Sequence, residues 1–322
     1  MSGQIRFGVQ LWLEEYRYSE LKSVWRRIEE LGFDSAWLYD HFYPMSNETS
    51  WSILEPWTVL PLLAEETSTL RLGILVTCNS YRHPPILAKI AATADIVSNG
   101  RLEFAIGTGW FKREYDAYGI PFPDARTRIE QLDEAVEIIK KIWVEEKVSF
   151  EGKHYRVRDL ISYPKPIQKP HPPIWIGGSG SLLLKVTAKH TDYANFVSCT
   201  PEEYREKLKI LRKRCEEVER NFDEIVKTWH GYMFIVEDEE ELRRKAQRFK
   251  EESNIDLIKE MTLNHFLETT ISGTPEQCIE KMKKLIDIGV SYFIPYFPYS
   301  RDLKSQEIFM EEIVPEIRKH KP

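Results

Sequence analysis

A carboxylate and an imidazole stand side by side near the start of the chain, at Asp40 and His41, directly after an apolar run at residues 34–39. A short apolar run of this kind predicts a buried strand, so both side chains should lie at a strand end. An imidazole there can accept or donate a proton near neutral pH, and Asp40 could orient the ring and favour its protonated form. A loop histidine that makes one structural hydrogen bond explains the position equally well.

Three glycines occupy four positions in the segment Gly177-Gly178-Ser179-Gly180, between an apolar strand pattern and a helical pattern. Backbone N–H groups at the start of a helix bind phosphate, because they have no partner within the helix and carry a partial positive charge. A tight turn with a positive φ angle is the alternative, and one glycine would satisfy it. The three glycines together favour an anion site.

A second glycine turn, Gly107-Thr108-Gly109, follows another strand pattern. It is not a dinucleotide-binding fingerprint, because Lys112 stands where the third glycine of that motif belongs. A close approach of the backbone to a ring or a phosphate is still consistent with this turn. Trp110 follows it directly.

Aromatic residues are frequent in the segments that connect the predicted elements. They predict an apolar pocket, although most of the nine tryptophans should belong to the core. The aromatic set consists of Trp12, Tyr43, Trp51, Trp57, Trp110, Phe111, Tyr296 and Phe297.

Composition argues against several classes of protein. The net charge is −6 with both signs mixed along the chain, unlike the basic footprint of a nucleic-acid binder. No run of eighteen apolar residues indicates a membrane span, and no histidine pair has the spacing of a zinc site. The start of the chain lacks a leader pattern, and four scattered cysteines form no CxxC pair, so we expect a cytoplasmic protein without a metal.

About eight strand-like and helix-like units alternate along the 322 residues, and eight such units close a (β/α)8 barrel. We expect one domain over residues 1–322, with a hairpin and a proline-rich stretch at residues 148–172 as an excursion from it. Active sites of such barrels form at the carboxyl ends of the strands. The polar clusters after the strand patterns, at residues 40–41, 77–79, 107–110 and 177–180, should therefore converge.

At these clusters the chain resembles the bacterial luciferase-like superfamily, and within it the coenzyme F420-dependent oxidoreductases. That resemblance implies a (β/α)8 barrel, usually a homodimer, that binds F420 or FMN at the carboxyl face and acts on a small-molecule substrate. The matching stretches are WLYDHF (37–42), RHPPILAKIAATADIVSNGRLEFAIGTGW (82–110), EYDAYGIPFP (114–123), PKPIQKPHPPIWIGGSG (164–180) and SGTPEQCIEKMKKLIDIGV (272–290).

The resemblance also assigns roles to individual residues. It makes His41 the proton donor or acceptor, places a non-prolyl cis peptide between Leu75 and Val76, and puts Tyr43 and Trp110 in the substrate pocket. The residues that it implies as cofactor contacts, the last three of them at the phosphate, are Asp40, Val76, Thr77, Gly107, Gly109, Gly177, Gly178 and Ser179.

Two departures argue against hexose-phosphate oxidation. The sugar-phosphate dehydrogenases of this family have a catalytic glutamate where Trp110 stands, and a tryptophan where Met45 stands. An FMN-dependent reductase or monooxygenase of the same fold is an alternative, and so is a carrier that binds a flavin without turnover. An unrelated barrel enzyme such as a sugar isomerase is disfavoured by the lack of clustered metal ligands.

Overall fold

The computed structural model describes residues 4–46, 48 and 50–320, in which strands and helices alternate along the chain. The strands are β1 Arg6–Gln10, β2 Ser35–Leu38, β3 Arg71–Ile74, β4 Thr77–Cys78, β5 Leu102–Gly107, β6 Val148–Glu151, β7 Arg156–Leu160, β8 Ile174–Gly177, β9 Tyr193–Val197, β10 Val226–Ile235, β11 Ile271–Gly273 and β12 Val290–Tyr296. The α-helices are α1 Tyr18–Glu30, α2 Pro56–Ala64, α3 Pro84–Val97, α4 Lys112–Tyr118, α5 Ala125–Val144, α6 Ser181–His190, α7 Pro201–Glu217, α8 Glu239–Glu252, α9 Asp256–Glu260, α10 Leu263–Glu268, α11 Pro275–Ile286, α12 Lys304–Ile308 and α13 Val314–Lys319.

Eight strands form a closed parallel barrel, which confirms the predicted fold class. They pair in the order β1, β2, β3, β5, β8, β9, β10, β12, and β12 returns to β1. The short strand β4 continues β3 beyond an irregular step and also pairs with β5. Every strand end that was expected to contribute to the site therefore lies at one rim of the barrel.

The interior of the barrel is filled by large side chains. The rings of Trp37 and Trp175 meet edge to face with their centroids 4.7 Å apart, and Tyr292 packs on the same pair. Leu75 belongs to this buried cluster and also reaches the cavity above it. The packed interior is therefore the floor of the site.

The helices cover the outside of the barrel, as their patterns predict. Leu132, Val136, Ile139 and Trp143 of α5 recur at steps of three and four, so they share one face, and all four are buried. Strands β6 and β7 form an antiparallel hairpin after α5. Since β5 pairs directly with β8, the segment between these two strands leaves the barrel wall and returns to it.

The structure differs from the sequence-based expectation at three places. Helix α4 has seven residues and no helical apolar stripe, so it was not predicted. The helical pattern at residues 239–267 predicts two helices, but this segment forms three, α8, α9 and α10, and the three-residue strand β11 follows. The pattern at residues 305–320 predicts one last helix, which a π-helical turn at Phe309–Ile313 interrupts. Among the described residues no helix is long and apolar enough to cross a membrane.

Candidate active site

A cavity of about 830 Å³ opens at the carboxyl ends of the barrel strands. This volume is in the range of small-molecule sites. The cavity brings together residues from four of the predicted clusters. The predicted site residues on its wall are Asp40, His41, Val76, Gly107, Gly109, Trp110, Gly177 and Gly178.

His41 is held by a carboxylate that the sequence analysis did not identify. Its Nδ1 lies 2.9 Å from Oε2 of Glu114, a residue of α4. The expectation that Asp40 orients this ring is wrong, because both oxygens of Asp40 contact the guanidinium of Arg82, at 2.7 and 3.0 Å. Nε2 of His41 has no hydrogen-bond partner among the described residues, and the ring lies on the cavity wall.

Glu114 is fully buried and accepts several hydrogen bonds. The backbone N–H groups of Phe42 and Tyr43 and the hydroxyl of Tyr81 donate to it, in addition to the His41 ring. Burial alone would raise the pKa of Glu114, but the bonds from His41, Tyr81 and Tyr43 outweigh burial and lower this pKa below its ordinary value. Glu114 is therefore an anion at neutral pH and accepts a hydrogen bond from Nδ1 of His41, which leaves Nε2 of this ring without a partner among the described residues.

Asp40 has a positioning role instead. In addition to Arg82, it accepts a hydrogen bond of 2.8 Å from the backbone N–H of Cys78 in β4. Arg82 also contacts Glu55 at the start of α2. The buried ion pair thus ties the loop after β2 to the strand that forms one wall of the cavity.

The peptide between Leu75 and Val76 is cis, as predicted. The side chain of Val76 projects between two glycines of neighbouring strands. A Cβ atom at Gly107 would lie 2.8 Å from Cγ2 of Val76, and one at Gly177 would lie 2.9 Å from Cγ1. We call Val76, Gly107, Gly177 and Gly178 the cofactor wall, since a flat ring can approach backbone atoms closely where side chains are missing.

A second histidine, His230 of β10, reaches the cavity on the opposite side of β1 and was not predicted. Two hydrogen bonds fix the orientation of the Gln10 amide. Its oxygen accepts from the indole N–H of Trp12 at 3.2 Å, and its nitrogen donates to the carbonyl of Leu75 at 2.8 Å. Nε2 of His230 lies 2.9 Å from the Gln10 oxygen and therefore donates to it. Burial lowers the pKa of His230 to about 4, so this ring is neutral at physiological pH.

The loop before α6 offers a different set of amides from the predicted one. The N–H of Gly178 donates to the carbonyl of Asn195 and is not available to a phosphate. The N–H groups of Ser179, Gly180 and Ser181 have no acceptor among the described residues. A guanidinium nitrogen of Arg214 lies 2.9 Å from Oγ of Ser181, so a cation that the sequence analysis missed stands at the same helix start.

Three predicted site residues are not on the wall of the cavity within the described part of the chain. Thr77 is fully buried behind the wall, Ser179 lies beside its rim, and the ring of Tyr43 packs under the guanidinium of Arg113. Of the aromatic set, Trp12, Trp110, Phe111 and Tyr296 line the cavity, whereas Trp51 and Phe297 line a neighbouring groove. Trp57 belongs to the core.

The missed residues carry little signal in a single sequence. Glu114 and Arg82 lie inside stretches that carry the family resemblance, but no spacing connects them to His41 or Asp40. His230 stands in a strand whose alternation predicts only burial. Among the described residues, no group of three His, Cys, Asp or Glu side chains could hold a metal ion.

Known proteins resemble this chain over nearly its whole length. The family model described as luciferase-like monooxygenase matches residues 4–292. The F420-dependent glucose-6-phosphate dehydrogenase of Microbacterium testaceum is 28% identical, with 99% of each chain covered. A solved F420-dependent secondary alcohol dehydrogenase, in complex with an F420-acetone adduct, superimposes with a TM-score of 0.85 at 19% identity, covering 98% of this chain and 99% of that one. The F420-dependent tetrahydromethanopterin reductase of Methanopyrus kandleri gives 0.82 at 21% identity, covering 98% and 100%.

Proposed function

Because the chain belongs to the luciferase-like monooxygenase family, we infer that it is an oxidoreductase that transfers a hydride between coenzyme F420 and an organic substrate. The observation that carries this proposal is the proton relay at the cavity: a buried anionic Glu114 holds Nδ1 of His41 and leaves Nε2 facing the space where a substrate binds. Relatives named for F420-dependent dehydrogenases and reductases support the choice of cofactor.

The cavity wall fits a flat tricyclic ring. The glycines at positions 107 and 177 leave only backbone on either side of the Val76 bulge, and the buried hydroxyl of Ser198 on the same cavity has no partner among the described residues. A ring with polar edges would satisfy that hydroxyl. F420, when bound, supplies the carbon that accepts or releases the hydride.

His41 would carry the proton that accompanies the hydride. Nε2 accepts it from a substrate hydroxyl in oxidation and returns it in reduction, and the charge that forms on the ring is stabilised by Glu114. Asp40 does not take part in this transfer; its ion pair with Arg82 holds the β4 wall in place. The rings of Trp110 and Phe111 pack edge to face on the His41 ring and would limit the access of water to the transfer.

The start of α6 would hold the cofactor's phosphate. The free N–H groups of Ser179, Gly180 and Ser181 point to an anion there. Arg214 lies beside them; one guanidinium nitrogen pairs with Glu217 at 2.7 Å, and its Nε, buried without a partner among the described residues, would be the donor to the anion. The proposed phosphate contacts therefore begin two residues later than Gly177, with Ser179 retained from the sequence prediction.

The cofactor can be tested directly. Purified apoprotein would be mixed with F420 or with FMN, passed through a desalting column and examined by visible absorption. We expect retention of F420 and loss of its absorption when an oxidisable alcohol is added. Retention of FMN alone would move the chain to the FMN-dependent reductases or monooxygenases of this fold. Retention of F420 with no bleaching by any substrate, and no effect of replacing His41, would make it a carrier.

Three further properties are proposed. We propose one domain over residues 1–322, since β5 and β8 pair across the excursion, and a cytoplasmic location, since all four cysteines are buried and free.

We also propose a homodimer through the outer face of α2 and α3, where Leu62 and Ile86 are 49% and 58% exposed. Light scattering of the native chain and of Leu62→Glu would test the dimer, and the variant should be a monomer.

A further inference from the structure

One side of the cavity presents an imidazole at the carboxyl end of the barrel, from His230 of β10. This side chain lines the cavity together with Ser198, which follows β9. The two strands are joined there, since β9 pairs with β10 and the backbone N–H of Ser198 donates to the carbonyl of His230 at 2.8 Å. The barrel therefore fixes the backbone of His230, and the contacts of the two ring nitrogens determine what the ring offers to a ligand.

The proton of the His230 ring is fixed on Nε2, which lies 2.9 Å from the amide oxygen of Gln10. That amide cannot turn over, because its nitrogen donates to the carbonyl of Leu75 and its oxygen accepts from the indole of Trp12. An amide oxygen only accepts, so Nε2 must donate to it. The ring stays neutral at physiological pH, since burial lowers the pKa of His230 to about 4. Nδ1 therefore carries a lone pair.

This lone pair is open to the cavity. Nδ1 of His230 has no hydrogen-bond partner in the described part of the chain, yet it is not among the unpartnered polar atoms that the protein encloses. The ring lies on the cavity wall. The neighbouring indole N–H of Trp12 is already used by Gln10. A donor for Nδ1 must therefore come from a molecule bound in the cavity.

His230 differs from His41 in what stands behind the ring. Nδ1 of His41 is paired with the anionic carboxylate of Glu114, which stabilises a positive charge on that imidazole. The partner of His230 is the neutral amide of Gln10, and burial disfavours a charge on this ring. His41 is therefore suited to take a proton, whereas His230 is suited to accept a hydrogen bond and to leave the proton on its donor.

We propose that His230 determines specificity by accepting, at Nδ1, a hydrogen bond from an O–H or N–H group of the substrate that does not react. The proposal rests on the proposed F420-dependent function, in which this cavity holds the substrate. A ligand that covered Nδ1 without a donor would leave an acceptor unsatisfied, which weakens binding. The substrates are therefore bifunctional: one group exchanges the hydride beside His41, and a second, neutral donor binds on the β10 side.

Two substitutions separate recognition from structure. The amide of His230→Gln reaches the position of Nε2 and keeps the bond to Gln10, but it leaves no acceptor at the position of Nδ1. The shorter amide of His230→Asn reaches only the position of Nδ1, so it keeps an acceptor for the ligand and loses the bond to Gln10. A structural histidine predicts the larger effect in His230→Asn, whereas an acceptor for the substrate predicts it in His230→Gln.

The probes are resorcinol, which has two O–H donors, and 3-methoxyphenol, in which one of them is masked as a methyl ether. Both leave one O–H for His41, and neither has a hydrogen on a carbon that bears oxygen, so neither is a hydride donor of the alcohol type. Calorimetric titration of the F420-loaded protein gives the ratio of the Kd for 3-methoxyphenol to the Kd for resorcinol. This ratio should fall about 3- to 10-fold in His230→Gln, as expected for one neutral hydrogen bond, and should be largely kept in His230→Asn. The apolar contribution of the methyl group cancels between variants.

His265→Gln, at an exposed histidine outside the cavity, serves as the control and should leave the ratio unchanged. An unchanged ratio in His230→Gln, or a native protein that does not bind resorcinol, would overturn the proposal. A larger fall in His230→Asn would overturn it as well and would make His230 a structural residue. Retention of F420 is measured on the same samples. Its absence would refute the proposed function, and the ratio taken on the apoprotein would still decide the role of His230.

Discussion

The two sides of the cavity are built in opposite ways. The cofactor wall consists of backbone and of the one side chain of Val76, held between Gly107 and Gly177. The opposite side of the cavity, bounded by Trp12, Tyr232, Phe266 and Tyr296 and called here the aromatic chamber, consists of large side chains from the loop after β1 and from β10, β12 and α10, with the five-residue helix α9 over them as a lid. The barrel strands fix the shape of the cofactor wall. Side chains, and the hydrogen bonds that hold a short helix in place, determine the shape of the aromatic chamber.

This difference suggests a division of function. A wall made of backbone suits a ligand that does not change, because few substitutions are compatible with its close contacts. A chamber made of side chains can change its shape and polarity by substitution without altering the barrel. His41 and Glu114 lie between the two, where the proposed proton transfer would be needed for any substrate.

The largest effect should come from His41→Ala. Loss of the group that moves the proton should lower turnover by about 10² to 10⁴, since general acid–base groups contribute that much. The Kd for F420 should change little, because the proposed phosphate contacts are at the start of α6. Stopped-flow bleaching of F420 with a turned-over alcohol, together with a cofactor titration, measures both. His265→Ala, at an exposed histidine outside the cavity, is the matched control.

The opposite result would show that His41 contributes to cofactor binding and not to proton transfer. If His41→Ala binds F420 weakly and loses stability while turnover at saturation is nearly normal, the histidine is structural. Full turnover with full binding would remove its catalytic role and favour the carrier hypothesis.

The cofactor side should respond most strongly to Arg214→Met. This change removes the cation at the α6 start but keeps a long apolar stem. A charge-assisted hydrogen bond contributes about 1.5–3 kcal/mol, so the Kd for F420 should rise by about 10- to 10²-fold while turnover at saturating F420 is retained. Lys213→Met removes one positive charge from the neighbouring position and should leave the Kd almost unchanged. Equal effects of the two variants would indicate general attraction and not a phosphate site.

Glu114→Gln tests the residue between the two sides. The amide cannot accept from all the donors that surround the carboxylate, so the free energy of unfolding should fall by about 1–3 kcal/mol at neutral pH. The pKa of Glu114 is lowered in the folded protein, so its stabilisation is complete above the unfolded pKa near 4.5 and is lost as pH falls through the folded value. Urea unfolding of both proteins between pH 7 and pH 3 should therefore show a difference that shrinks with acid. A constant difference would contradict an ionised Glu114.

The same contrast explains what the sequence could predict. Glycines between a strand pattern and a helix pattern are visible in one sequence, so the backbone turns at Gly107 and Gly177 were located, and the family resemblance placed the cis peptide after Leu75 correctly. Contacts between distant side chains leave no such pattern. Glu114 is 73 residues from His41 along the chain, and α9 is too short to show helical periodicity. The orienting carboxylate and the lid therefore needed the structure.

The smallest effect, and the one that isolates the chamber, should come from Lys250→Met. The ammonium donates to three lid carbonyls, and methionine keeps the stem but removes every donor. These carbonyls can turn to water when the lid loosens, so the expected loss is close to one net hydrogen bond, and the KM for the alcohol should rise about two- to tenfold. The Kd for F420 should stay the same, because none of these three hydrogen bonds of Lys250 reaches the cofactor wall. Lys245→Met lies on the same helix but removes only a surface pair with Glu241, so it should leave KM unchanged. An increase in the Kd for F420 with Lys250→Met would show that the lid also closes over the cofactor, and the two sides of the cavity would then have to be treated as one site.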